Sequence, residues 1–261
     1  MFPINQHLLT QITELAKRAG DEIMTIYSTD FSIKTKNDAS PVTVADELAE
    51  KLILDAFQND IQTAIPVISE EAAAAGTLPT LNGNTFWLVD PLDGTKEFIN
   101  KNDEFTVNIA LITDGTPILG VVHTPALNIT HWGWSGGAYK QIGDQDPVEI
   151  SCREIPEAGI TAVVSRSHRG SGIDGFLNQY TVADEISAGS SLKFCTVAEG
   201  KADIYPRLGR TMEWDTGAGD AVLRAAGGRV MTVDGADLKY GKPIFENPYF
   251  VAASNAIEYA K

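Results

Sequence analysis

The sequence predicts an α+β fold, and three observations carry that expectation: a long amphipathic opening segment, a run of alternating apolar stretches through the first half, and single strands alternating with helices through the second. Over residues 4–27, Leu8, Ile12, Leu15, Ala19, Ile23 and Ile26 recur at three- or four-residue steps, the period of one helix face. Residues 31–36 alternate like a strand and lead into a turn at 37–41, rich in Asn, Asp, Ser and Pro. A second helix is expected over 44–57, with Leu48, Leu52 and Ile53 inward and Asp46 in its first turn. Residues 66–69 and 85–89 are short apolar strands, each ending on carboxylates, Glu70-Glu71 and Asp90.

Residues 105–124 read as two strands around the hairpin pair Asp114-Gly115, and strands near 129–134 and 138–142 continue a largely antiparallel meander. A polar break follows at 143–147. The pattern then restarts with a strand at 160–165 and helices near 173–180, 192–200 and 216–226; Gly227-Gly228 stops the last of these before a strand at 229–233.

The 261 residues allow one large domain or two small ones. Hydrophobic residues at 43% and charged residues at 21% are ordinary globular usage, which excludes a disordered or fibrous chain. The formal charge of -15 repels a polyphosphate, so a nucleic-acid polymer is not the expected partner, whereas a small anion held through metal is compatible. Cys152 and Cys195 lack any metal-binding spacing and are expected as reduced thiols. With no signal-peptide pattern and no run of roughly 18 apolar residues, the expected compartment is the cytoplasm, a peripheral place at the inner membrane being left open along with the oligomeric state.

Asp90-Pro-Leu-Asp-Gly-Thr95 is the most informative segment. A strand runs into two carboxylates three residues apart, with Pro91 fixing the backbone and Gly94 permitting unusual torsions. Asp90, Asp93 and the Leu92 carbonyl directed at one point suit a hard cation, Mg²⁺ above all. Thr95 then opens a short helix whose free N–H groups face a phosphate. Taken singly, each element has an ordinary reading: the hexapeptide as a surface turn, Glu70-Glu71 as a solvated pair, Asp215 as a dipole-favoured residue at a helix start. Adjacent strand ends, however, would bring Glu70 within reach of Asp90.

Thr43-x-x-Asp46, Ser69-Glu-Glu71, Trp87-Leu-Val-Asp-Pro-Leu-Asp-Gly-Thr95 and Glu213-Trp-Asp215 followed by Thr216-Gly-Ala-Gly219 occur in the order seen in the inositol monophosphatase superfamily, which the chain resembles from near residue 10 to near residue 255. Within it, Thr95-Lys-Glu-Phe98, Gly189-Ser-Ser-Leu-Lys-Phe-Cys195 and Ala202-Asp-Ile-Tyr-Pro-Arg207 resemble the bacterial 3′(2′),5′-bisphosphate nucleotidase branch. The resemblance implies a layered αβαβα sandwich, one phosphatase unit over 1–261 with a metal-motif half at 1–145 and a substrate-recognition half at 146–261. It implies that Glu70, Asp90, the Leu92 carbonyl, Asp93 and Asp215 coordinate Mg²⁺, two or three ions in all. Asp46, Glu70 and Thr95 are then the catalytic set that activates water, and Gly94, Thr95, His168, Ser190, Lys193, Arg207 and Asp215 are the substrate contacts.

The implied reaction is Mg²⁺-dependent hydrolysis of the 3′-phosphate of adenosine 3′,5′-bisphosphate, to AMP and phosphate, in sulfur metabolism and with sensitivity to Li⁺. Without the resemblance, Lys193 reads as a solvated helix residue and His168 as a surface histidine. An inositol or fructose-bisphosphate phosphatase would share every metal motif, and a metal-dependent binding module without turnover stays open as a third reading. Lys193 and Arg207 argue against a singly phosphorylated polyol, and the Asp46–Thr95 pair argues against mere binding.

Overall fold

Local hydrogen bonding sets the helix starts, and strand alternation then sorts the helices into layers. The computed structural model describes residues 4–29, 33–35, 41–61, 64–165 and 172–258. Helix α1 (Gln6–Tyr27) begins at Asn5, whose side chain accepts from the Leu8 N–H at 2.8 Å. Strands β1 (Ile33–Thr35) and β2 (Pro41–Thr43) pair antiparallel with Thr35 opposite Pro41, so Pro41 opens a strand instead of closing the expected turn. The rest of that turn, 36–40, lies outside the described residues. Helix α2 (Val44–Ala56) starts on a capping box between Thr43 and Asp46 and runs on into a π-helical turn, Phe57–Ile61.

Strands β3 (Val67–Ser69), β4 (Thr85–Asp93), β5 (Thr106–Thr113), β6 (Thr116–Thr124), β7 (Ile129–Trp134), β8 (Gly137–Ile142) and β9 (Val148–Ile150) form a seven-stranded sheet in chain order. Only the first pair, β3 with β4, is parallel; the rest is the expected meander. The polar break at 143–147 turns the chain back into β9. Short helices α3 (Glu70–Ala74) and α4 (Thr95–Ile99) follow β3 and β4 directly.

Strand β10 (Ile160–Ser165), helix α5 (Gly172–Leu177), β11 (Val182–Ala188), α6 (Leu192–Ala198), β12 (Ile204–Arg207), α7 (Gly217–Ala225), β13 (Gly228–Thr232) and β14 (Phe250–Ser254) complete the described chain. Their strands make a second sheet in the order β11-β10-β12-β14-β13. Strands β9, β11, β12 and β14 were not expected from the sequence. The reasons are local: β11 is an edge strand whose Ala183, Asp184 and Glu185 face solvent, and β12 carries Pro206, a residue that normally argues against a strand. Pairing of β12 to β10 is confined to Ala162 and Ile204, so Pro206 falls beyond it.

Successive residues of a strand point to opposite faces, and the cores follow that rule. Trp87, Val89, Val107, Ile109, Leu119 and Val121 pack with α1 and α2 on one side of the large sheet. The intervening Leu88, Ala110, Ile112 and Val122 meet α6, α7 and Phe250 of the second sheet on the other. Beyond that sheet, Val164, Ile204 and Val251 pack against Ile173, Phe176 and Leu177 of α5. The result is the five-layer αβαβα sandwich, with helices α6 and α7 as its middle layer.

Helix α7 sits unusually close to the large sheet. A Cβ at Gly120 of β6 would lie 2.7 Å from the Ala221 Cβ, inside any permitted contact. Because α7 follows directly on Asp215, Gly120→Ala is expected to push the helix outward and to lower stability by roughly 1–3 kcal/mol, the usual cost of overpacking. Urea denaturation of the variant checks this, and an unchanged midpoint would show that the helix has room to spare.

Candidate active site

Parallel pairing of β3 with β4 sets Ser69 opposite Val89, so the two strands deliver Glu70 and Asp90 side by side at one edge of the sheet. The next residues are not the surface turn that Pro and Gly suggest. Asp90 pairs with Asn108 and Asp93 with Thr106, so β4 spends one more residue than β5 over this interval: a β-bulge. Pro91 and Leu92 fall inside the bulge, and the Leu92 N–H donates to Asp90 Oδ1 at 3.1 Å. Asp90 is only 1% exposed and does not border the cleft, whereas Asp93 reaches its wall. Gly94 follows with φ of 92°, a left-handed conformation that starts α4.

The cleft has a volume of about 250 Å³ and is bordered by Glu70, Asp93, Gly94, Thr95 and Asp215 together with Ser190, Lys193 and Arg207 from the second half of the chain. Asp46 is buried behind Thr95. Its Oδ2 takes hydrogen bonds from the Thr43 N–H and hydroxyl at 2.8 and 2.7 Å, and its Oδ1 lies 3.4 Å from Thr95 Oγ1. The same Thr95 hydroxyl is 3.4 Å from the Leu92 carbonyl oxygen. Asp215, just ahead of α7, accepts the Met212 N–H on Oδ2 at 2.9 Å.

The carboxylates repel one another in a poorly solvated place. Burial raises Asp215 to about 8, and the charges of Asp93 and Glu70 add to that rise. Burial likewise raises Asp93, against the pull of Lys193 and hydrogen bonds from Ser191 and Asn108. Lys193, 6% exposed in the first turn of α6, is lowered to about 8 by burial despite the attraction of Asp93, with Arg207 adding to the fall. Its ammonium donates to the Ser190 carbonyl at 2.5 Å and stands 5.4 Å from the Tyr205 ring centre. Ser190 has a φ of 39°, and its buried hydroxyl has no partner among the described residues; the same holds for Arg207 Nε, while Arg207 Nη2 donates to the Arg210 carbonyl at 3.0 Å. These unpartnered donors lie on residues that border the cleft.

Of the expected site residues, Glu70, Asp93, Gly94, Thr95, Ser190, Lys193, Arg207 and Asp215 border one cleft; Asp46 and the Leu92 carbonyl reach Thr95 from outside its lining, and Asp90 is tied to the Leu92 N–H. His168 lies outside the described residues, although Ser165 before it does border the cleft. Among the described residues, no group of three or more His, Cys, Asp or Glu is already drawn into a metal-chelating cluster. Glu213, quoted with Trp214 and Asp215 in the motif, turns away: its carboxylate accepts the Gly241 and Lys242 N–H groups at 2.7 and 2.9 Å and pairs with the Lys242 ammonium at 2.6 Å. Sequence reasoning assigned no role to Thr106 and Asn108, which touch Asp93. The available signal was a threonine and an asparagine at the start of a mostly apolar strand.

The chain belongs to the inositol monophosphatase family, whose model matches residues 4–260. It is 44% identical over 247 residues to the 3′(2′),5′-bisphosphate nucleotidase CysQ of Escherichia coli O157:H7, covering 93% of this chain and 98% of that protein. The CysQ nucleotidase of Haemophilus influenzae is 32% identical over 258 residues, covering 96% and 94%. In fold it is similar to the crystal structure of CysQ from Bacteroides thetaiotaomicron, with a TM-score of 0.82, 35% identity, and coverage of 97% and 98%.

A folded carboxyl raised to about 8 holds a proton that the unfolded chain has already released, so this group's contribution to stability is lost as pH rises from the ordinary Asp range through 8. At pH 8 in a chelator, Asp215→Asn therefore removes a repelling charge while keeping an acceptor for Met212, and the melting temperature rises by at least ~2 °C. Added Mg²⁺ reverses the order by stabilising the wild type more. A variant that melts below wild type in chelator would contradict the charge-crowding account.

Proposed function

We propose that this chain is a Mg²⁺-dependent 3′(2′),5′-bisphosphate nucleotidase that hydrolyses the 3′-phosphate of adenosine 3′,5′-bisphosphate to AMP and phosphate. Curated relatives across nearly its whole length carry that activity in their names. The observation that carries the reading to this chain is a cleft that pairs crowded carboxylates with two cationic side chains, Lys193 and Arg207. Carboxylates alone would repel a bisphosphate, and cations alone would not activate water.

Members of this family depend on Mg²⁺. The donors here fit such an ion, being all oxygen, and the upward shifts of Asp93 and Asp215 are the penalty a divalent cation removes. Mg²⁺ is commonly held by one or two carboxylates, its other positions filled by waters and substrate phosphate, so no ready-made cage is required. Glu70, Asp90, the Leu92 carbonyl, Asp93 and Asp215 would hold two or three ions. When bound, Mg²⁺ neutralises phosphate charge and lowers the pKa of water.

The chain's own residues do the rest. Asp46 holds Thr43 through Oδ2 and orients the Thr95 hydroxyl through Oδ1, and Thr95 in turn directs the attacking water; Glu70 borders the same space. Gly94 and Thr95 lie at the scissile phosphate, beside Asp215. Ser190, Lys193 and Arg207 hold the second phosphate with hydrogen bonds, and two of their donors, the Ser190 hydroxyl and Arg207 Nε, have no acceptor among the described residues. Li⁺, small and hard, competes for a Mg²⁺ position.

Phosphate release from adenosine 3′,5′-bisphosphate and from inositol 1-phosphate, with and without Mg²⁺, tests the assignment: Mg²⁺-dependent turnover favouring the nucleotide is expected, and preference for the inositol ester overturns it. Thr95→Ala is expected to reduce kcat by roughly 10²–10⁴-fold with KM little changed. Arg207→Ala is expected to raise KM for the bisphosphate by ~10–100-fold, since a charge-assisted contact is worth roughly 1.5–3 kcal/mol, and to leave a singly phosphorylated substrate unaffected. Equal losses on both substrates would move Arg207 to the scissile phosphate.

A further inference from the structure

Strand β5 reads Thr-Val-Asn-Ile-Ala-Leu-Ile-Thr, and its Asn108 is 1% exposed in the middle of the large sheet. An amide in such a place destabilises the fold unless its atoms are bonded. Here only half of them are. Asn108 Nδ2 donates to Ser191 Oγ at 2.9 Å and to Asp93 Oδ2 at 3.3 Å, whereas Asn108 Oδ1 is buried without a partner among the described residues. The orientation of the amide follows from its neighbours: turned over, its oxygen would face the Asp93 carboxylate. Ser191 passes the connection on, its hydroxyl donating to the Asp215 carbonyl oxygen at 2.8 Å.

An apolar residue like the neighbouring Ile109 would fill the strand without leaving an unbonded oxygen, so packing does not account for Asn108. What the amide supplies is position. Both the Asn108 amide and the Thr106 hydroxyl, at 3.5 Å, fall on Oδ2 of Asp93, and neither takes Oδ1. Through Ser191 the same amide reaches the backbone of Asp215, which belongs to the far half of the chain. The Asp93 charge helps raise Asp215, so the two carboxylates repel, and Asn108 and Ser191 link them through hydrogen bonds. Ser191 also adjoins Ser190 and the start of α6, which carries Lys193, so the substrate side of the cleft is tied to the same point.

We propose that Asn108 and Ser191 are positioning residues of the metal site, setting the separation of Asp93 and Asp215 and the choice of Asp93 oxygen offered to a cation. This rests on the metal-ligand assignment above. Residues that hold metal ligands in this way are typically worth 10–100-fold in metal affinity.

Calorimetric titration of Mg²⁺ into chelator-stripped protein tests the relay without turnover. Ser191→Ala and Asn108→Ala are each expected to weaken the Mg²⁺ dissociation constant by roughly 10–100-fold. Ile257→Ala, in the outermost apolar cluster, supplies a comparison destabilised away from the cleft, and its constant is expected to match wild type. If Asn108→Ala fails to fold, Ser191→Ala, which removes a single oxygen, decides. Wild-type binding together with unchanged constants in the relay variants overturns the proposal, as does an equal loss in Ile257→Ala. A wild-type chain that takes up no Mg²⁺ overturns the metal-site reading itself.

Discussion

Like charge gathered in a poorly solvated cleft is the constraint on which the rest of the structure depends. Glu70, Asp90 and Asp93 arrive from one edge of the large sheet, and Asp215 arrives from the segment before α7. Burial favours the neutral forms of Asp93 and Asp215, and the charges of Asp93 and Glu70 raise Asp215 further, a cost that bound divalent cations, as proposed above, would relieve. The fold must therefore hold these groups together against their own repulsion. Close packing of α7 on Gly120 and Gly133, and the latch from Glu213 to Gly241 and Lys242, serve that end from outside the cleft.

Two backbone irregularities fall at the cleft. The bulge in β4 leaves Asp90 buried and brings Asp93 to the cleft wall, giving two carboxylates of one strand different surroundings. Gly94 then reverses the chain into α4, where a Cβ would stand 3.3 Å from the Ser190 Cβ and the Glu104 carbonyl oxygen. Ser190, itself left-handed, meets Gly94 from the other half of the chain. Two left-handed residues, Gly94 and Ser190, thus meet at the cleft.

Helix periodicity and apolar runs made most of the elements legible, but the layered arrangement came from the family resemblance; the structure adds that Trp87 and Val89 face one core and Leu88 the other. The motifs around Glu70, Asp90 and Asp93 were legible because they lie at or near strand ends. What the sequence concealed depends on pairing. Asp90-Pro-Leu-Asp-Gly looks like a turn because its residues are turn residues, and only the register with Asn108 and Thr106 makes it a bulge. Strands β11 and β14 were hidden because acidic or alanine-rich segments lack the β-branched signature, and partnership in a sheet overrides propensity. Asn108 and Ser191 were silent for a related reason: a buried polar residue acquires meaning from the partner it meets, not from its neighbours in sequence.

Soaking crystals with Mn²⁺, which accepts the same oxygen donors as Mg²⁺, and collecting anomalous diffraction tests the central claim most directly. The account predicts anomalous peaks in the cleft, each bounded by oxygens drawn from Glu70, Asp90, the Leu92 carbonyl, Asp93 and Asp215. Peaks elsewhere, or a cleft without any while its carboxylates keep their positions, would contradict it.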